Sequence, residues 1–219
     1  MQRLLIVGNG TYAEMLKRYI NLTDFGIVDG YVVESQYISE KSIDGVKVYP
    51  LEKIEEYYCN DSVKMIMGIG YRNMGNIRKK VYKICKEKGY DFANYIHPTA
   101  IISDDVLVGE GNNIFEGVLV QAGAKIGNCN LIYGRSVIGH DSKLGDYNSV
   151  SLNVTVAGNV DIKNNCFIGA GAVAKDHIII SDYALIGAAA YAFKNIEEYQ
   201  VVSAPANCIV KDKISTDYI

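Results

Sequence analysis

Histidine is the side chain whose ordinary pKa lies nearest neutrality, so His97, His140 and His177 are the first candidates for moving a proton in this chain. His140 follows Ile138 by two residues and is itself followed by Asp141, in the segment IGHDSKLGD. A side chain placed there, past an aliphatic position and around a bend, leaves the interior and faces a surface or a partner subunit. His97 precedes Pro98 and reads as structural. A second cluster is Gly8, Asn9 and Gly10. The run RLLIVG reads as a buried strand, and a helical pattern follows through Met15, Leu16, Tyr19 and Ile20. Strand, glycine turn and helix start is the arrangement that brings backbone N–H groups to a phosphate or a sugar, with Ala13 where a third glycine would fall. A tight connection holding no ligand fits the same residues. Glu34, 26 residues beyond Gly8, lies near where such folds keep an acid for ligand hydroxyls or amides; a solvated strand end is the plainer reading.

The elements that must position these groups come from a six-residue period. Counting in sixes from Ile96 gives Ile96, Ile102, Val108, Ile114, Val120, Ile126, Ile132, Ile138, Leu144, Val150, Val156, Ile162, Ile168, Ala174, Ile180 and Ile186, all aliphatic. Glycine follows directly at Gly109, Gly127, Gly139, Gly145, Gly169 and Gly187, where it is expected to supply dihedrals that a side chain forbids. Six contains the strand period of two but not the helical 3.6, so each hexad reads as a short strand plus a bend. Three hexads close a triangle, and stacked coils share one core, as in a parallel β-helix. Such a prism sets His177, 37 residues after His140, roughly 10 Å from it. That is too far to share a proton or a metal ion, and no metal site is expected.

Ahead of the repeats, Gly26–Glu34, the short edge segment Lys47–Tyr49 and Val63–Ile69 read as further strands. A helix is expected over LEKIEEYY after Pro50, and another from the Gly70-Tyr71-Arg72-Asn73 turn to about Lys88, capped by Gly89. Phe92–Tyr95 reads as a last strand. These define an α/β Rossmann-like domain over residues 1–95 with about four parallel strands, and nothing in it suits hydride chemistry. The repeats and a tail occupy residues 96–219. Register is expected to fail from about Ala192, with VVSAPANCIVKDKI capping the open end.

The formal charge of −3 and a pI near 5.7 leave no basic footprint for nucleic acid. Apolar runs are too short for a membrane span and the N-terminus does not resemble a signal peptide, so a cytoplasmic protein is expected. Five scattered cysteines without a CxxC pair suggest neither disulfides nor zinc.

The turn GNGTYA, the segment GIGYRNMGNIRKK, the junction IHPTA, the coil VIGHDSKLGD and the tail SAPAN together resemble the hexapeptide-repeat sugar acyltransferases related to sialic-acid O-acetyltransferases, among them N-acetyltransferases of nucleotide-linked amino sugars. The resemblance implies a left-handed β-helix, a homotrimer, acetyl-CoA as donor and active sites between subunits. It makes His140 the general base, with Asp141 orienting it. It gives the Gly158 N–H to the developing oxyanion and sets Ala170, Ala188 and Pro205 along the CoA. It places the sugar nucleotide on Gly8, Asn9, Gly10, Glu34, Gly70 and Tyr71. Two departures stand out. Tyr133-Gly134-Arg135 replaces an Asn-Thr or Asn-Ser pair, and Ser149 replaces a second histidine of the donor pocket. Tyr133 and Arg135 then become acceptor-side candidates, although Arg135 could equally bridge subunits. No serine or cysteine is placed for an acyl-enzyme, so direct attack on the thioester is expected. The reading is an acetyl-CoA-dependent N-acetyltransferase of a nucleotide-linked amino sugar; O-acetylation of a sugar, or a non-catalytic trimeric scaffold, are the alternatives.

Overall fold

Leu4 to Val7 is apolar on both sides of the chain, the pattern of a strand covered on both faces. The computed structural model describes residues 1–205. In it this run is part of β1 (Arg3–Val7), which lies between β2 (Ile27–Val33) and β5 (Lys64–Met67). Outside β2 lie β4 (Val46–Pro50) and then β3 (Ser42–Ile43), giving the order β3-β4-β2-β1-β5. All pairings are parallel except β3 with β4, a hairpin the sequence pattern did not suggest. Helix α1 (Thr11–Leu22) buries Ala13, Leu16 and Ile20 on one face, and α2 (Asn76–Glu87) buries Arg78, Val81 and Cys85 on one of its own. The segment after Pro50 forms a 3-10 helix, Leu51–Glu56, rather than an α-helix. Phe92 makes only an isolated bridge to Met65, and Tyr95–Ile96 already pairs within the second unit.

That second unit is a three-sided parallel β-helix. Its two-residue strands sort into sheets of six, five and seven strands, each paired with the strand three hexads away, as Leu119 is with Val137. The aliphatic ladder fills the interior from Ile114 to Ala192. The expected role of the glycines is corrected. Gly109, Gly127, Gly139, Gly145 and Gly169 do not have positive φ. They are small because a Cβ there would come within 2.5–2.8 Å of the next coil's backbone. The left-handed residue sits two positions later, where Cys129, Arg135, Asp141, Tyr147 and Asn159 take φ of 53–61°.

One corner carries a ladder that the period did not reveal. Asn94, Asn112, Asn130 and Asn148 each accept, through Oδ1, the backbone N–H one coil ahead, at 2.7–2.9 Å. The six-residue register holds through Ala192 and slips after it, as expected, but strand pairing continues. Ala192 stays on the inner ladder, Ile196 bridges Ile180, and Val201–Val202 pairs with Leu185–Ile186. A full coil from Ile180 would end at Glu198 and one from Leu185 at Ser203, so the final coil is shortened by two positions. Of the expected cap, residues 206–219 lie outside the described residues.

The seven-stranded sheet turns its outer face to the first unit, burying Tyr95, Asn113, Leu131 and Ser149. Across this seam Asn113 Nδ2 donates to Met67 O (2.6 Å) and to the Tyr12 hydroxyl (2.8 Å). Arg78 is wholly buried there and donates to carbonyls and a hydroxyl with no carboxylate in reach. Burial of the cation pushes its pKa down to about 10, which still leaves it charged at neutral pH. Among the described residues, no helix is long and apolar enough to cross a membrane, and no group of His, Cys, Asp and Glu is arranged for a metal ion.

Replacing Asn130 by leucine strands the Asn148 N–H, and the loss should be about 1–3 kcal/mol, read as a lower urea midpoint. Thiol labelling of the native protein should modify exposed Cys59 but spare Cys85, Cys129 and Cys166, with burial pushing the Cys85 and Cys166 thiols up to about 12.

Candidate active site

His140 stands on the corner between the six- and five-stranded sheets, on the turn after the strand Val137–Ile138. Its Nδ1 lies 2.9 Å from Asp141 Oδ2, and both side chains are about 60% exposed (59% and 61%). Neighbours on a strand would point apart. Asp141 instead has φ of 57°, which turns its carboxylate back onto the imidazole. With the ring neutral and Nδ1–H donating to that carboxylate, Nε2 is left as the free acceptor. The corner is held from the coil below, where Gln121 Oε1 accepts the His140 N–H at 3.0 Å and Gly123 leaves room for the Asp141 carboxylate. From the coil above, Asn159 N–H donates to His140 O at 2.9 Å. Gly158 lies against the imidazole, so that a Cβ there would overlap Nε2. Its N–H has no acceptor among the described residues, while its carbonyl accepts from His177 N at 3.2 Å.

A cavity of about 750 Å³ opens at the C-terminal ends of β1, β2 and β5, where the sheet order turns back on itself. It gathers Gly8, Asn9, Gly10, Glu34, Gly70, Tyr71 and Tyr133 into one wall, together with Tyr12 and Arg72. Gly8 takes φ of 114° and sits against Gly68 O, where a side chain would not fit. Helix α1 starts after Gly10 with no side chain capping its first turn, leaving backbone donors for an anion. Asn9 Nδ2 donates to Tyr37 O at 2.9 Å, and Glu34 pairs with Lys80 at 2.7 Å. From the β-helix, Tyr133 stacks on Phe115 (centroids 5.3 Å, 20°) and meets Tyr12 edge-on. Burial pushes the Tyr133 hydroxyl up to about 12, so it stays neutral.

The remaining candidates separate. Arg135, Ala170 and Ala188 are exposed on the corner that carries Tyr133, one full sheet away from His140 in the same chain. Arg135 does not line the cavity. Pro205 is exposed at the end of the described residues. Ser149, expected at the donor pocket, is corrected. It is 3% exposed, and its Oγ accepts from Arg78 at 3.0 Å in the seam between the units. His97 is structural, with Nδ1 2.9 Å from Thr99 Oγ1, and His177 pairs loosely with Asp176 at 3.7 Å. Gln121, Tyr12, Arg72 and Arg78 were not singled out from the sequence. For Gln121 the signal was present, because it stands three hexads before Gly139 and so lies directly beneath the histidine corner.

The chain is similar in structure, over 93% of its length, to a histidine-to-asparagine variant of perosamine N-acetyltransferase from Caulobacter crescentus in complex with CoA and GDP-perosamine. That likeness has a TM-score of 0.82, 22% identity and covers 94% of that chain. At this identity the likeness is one of fold. The shared fold is a Rossmann-like unit followed by a left-handed β-helix. The acetyltransferase domain of PglB from Neisseria gonorrhoeae FA1090, in complex with acetyl coenzyme A, has the same fold. Its TM-score is 0.81 at 19% identity, with 93% of this chain and 96% of that one covered. In sequence, the chain is 29% identical to GDP-perosamine N-acetyltransferase of Escherichia coli O157:H7 over 102 residues, 47% of this chain and 46% of the relative. It is 32% identical to UDP-3-O-acylglucosamine N-acyltransferase of Hahella chejuensis over 108 residues, 48% and 29%. The chain thus spans less than half the length of the curated relatives it matches. No protein-family model matches it.

Gly158→Ala should leave thermal stability close to that of the parent yet displace the imidazole. Crystallography should show a changed His140 rotamer.

Proposed function

We propose that this chain is an acetyl-CoA-dependent N-acetyltransferase of a nucleotide-linked amino sugar, such as a 4-amino-4,6-dideoxy sugar, in cytoplasmic synthesis of a surface glycan. The observation that carries the reading is the His140–Asp141 pair, whose free Nε2 lies against Gly158, a residue whose N–H has no acceptor among the described residues. A base and an oxyanion donor side by side are what amine attack on a thioester requires. Two relatives support an amine acceptor, one named a GDP-perosamine N-acetyltransferase and the other an N-acyltransferase of a UDP-linked glucosamine.

In this mechanism the sugar amine attacks the thioester carbonyl carbon while His140 Nε2 takes the proton it loses. Asp141 stabilises the imidazolium that results. The carbonyl oxygen, now an oxyanion, accepts from Gly158 N–H. Collapse of the tetrahedral intermediate breaks the C–S bond, and the imidazolium returns its proton to the departing CoA sulfur. The products are the N-acetyl sugar and CoA, and His140 ends neutral as it began.

Within one chain the cavity and His140 occupy different corners of the prism, so the reading needs a second copy to join them. A homotrimer places the histidine corner of one subunit against the Tyr133 corner of the next, with Ala170 and Ala188 lining the shared groove for CoA. In support, the outer side of the six-stranded sheet presents Ile101, Val173 and Tyr191 to solvent in the isolated chain. In that groove Arg135 is proposed to reach the acceptor.

Incubation with acetyl-CoA and a panel of 4-amino and hydroxyl sugar nucleotides, followed by mass spectrometry, should yield an N-acetyl product. Products on hydroxyl sugars alone would replace the reading by O-acetylation, and no product would favour a scaffold. His140→Ala should lower kcat/KM at least about 10²-fold while sedimentation still reports a trimer.

A further inference from the structure

The wall formed by Gly70, Tyr71 and Arg72 continues into a backbone segment that few sequences adopt. Asn73 and Met74 have φ of 52° and 47°, and Gly75 follows at 76°, three left-handed residues in succession. Left-handed residues other than glycine persist only where their surroundings over-determine them. Here those surroundings belong to the β-helix. Asn165 Nδ2 donates to Met74 O at 2.8 Å, the Tyr71 ring packs on Phe167 (centroids 5.3 Å), and Gly75 lies so close to Tyr147 O that a Cβ would reach it at 2.5 Å.

Arg78 completes the hold. Its Nη1 donates to Gly70 O at 2.8 Å. Nε donates to Cys129 O at 3.2 Å, and Nη2 serves Tyr147 O, Asn148 O and Ser149 Oγ at 2.5–3.1 Å. One fully buried guanidinium therefore ties the carbonyl of a cavity-lining residue to two neighbouring coils.

We propose that Arg78 is a positioning residue for the sugar nucleotide, through which the β-helix sets the shape of the cavity wall at residues 70–72. The proposal rests on the reading of that cavity as the acceptor site. A residue that only stabilised the seam would alter unfolding without altering affinity in the folded trimer. A positioning residue alters acceptor affinity while leaving unaffected a donor groove lined by Ala170 and Ala188, neither of which Arg78 touches.

The test is calorimetric titration of the folded trimer with GDP, with UDP and separately with CoA, on the parent chain and on Arg78→Met, Arg78→Lys and Asn165→Ala. Arg78→Met should weaken nucleoside diphosphate binding at least about 10-fold with CoA affinity within about twofold, and Arg78→Lys should fall between it and the parent. Asn165→Ala releases only the Met74 carbonyl and keeps the guanidinium, so it serves if Arg78→Met does not fold; a loss of at least about threefold for the nucleotide alone is expected. Parent-like nucleotide affinity in Asn165→Ala together with whichever Arg78 variants fold, or an equal loss for CoA, overturns the proposal. Binding of neither GDP nor UDP by the parent overturns the acceptor-site reading itself, a distinct outcome.

Discussion

Each coil of the β-helix must lie on the last with its residues in register, because a two-residue strand can form its ladder bonds only with the strand directly beneath it. This requirement decides which residues each position accepts. One residue past the inner ladder the chains approach so closely that Gly139 cannot carry a Cβ against Ala157. Two positions on, the chain must turn left-handed to start the next side, and residues as different as Cys129, Arg135 and Tyr147 accept that conformation. Local preference yields to stacking at every corner. The same register puts Gln121 beneath His140 and Gly158 above it, so the histidine corner is positioned by the spacing that holds the coils together.

The inner ladder was legible because burial of aliphatic side chains repeats with the coil and leaves its period in the sequence. Corner geometry was misread, since a glycine required by close approach and a glycine required by dihedral angle look alike in a sequence. The asparagine ladder repeats over four coils, from Asn94 to Asn148, yet asparagine is usually a surface or turn residue, and its burial follows only from the stacking of one rung on the next. Arg78 was illegible for a stronger reason. On α2 it reads as one more solvated cation among Lys79, Lys80 and Lys83, and only the docked prism supplies the carbonyls that make its burial tolerable. Ser149 went astray with it, because its partner is far away in the chain.

Gly8, Asn9, Gly10 and Glu34 line one cavity because they belong to a local strand-turn-helix unit whose geometry is set over a few residues. Tyr133 joins them only through tertiary packing on Phe115 and Tyr12. The aromatic wall and the histidine corner are built by different rules. The wall is half-buried and apolar, with hydroxyls kept neutral by desolvation, whereas the imidazole and carboxylate stand in solvent. Exposure of that kind leaves the pair weakly interacting in the lone chain; a neighbour that excludes water would strengthen it.

The shortening of the last described coil is confined to one corner. Ala192 and Ile196 are separated by two fewer residues than Ala174 and Ile180 beneath them, yet Ile196 and Val201–Val202 still stand over Ile180 and Leu185–Ile186. The length of a turn is therefore free to vary where the seat of a strand is not, and insertions or deletions in the prism are tolerated at its edges and excluded from its sides.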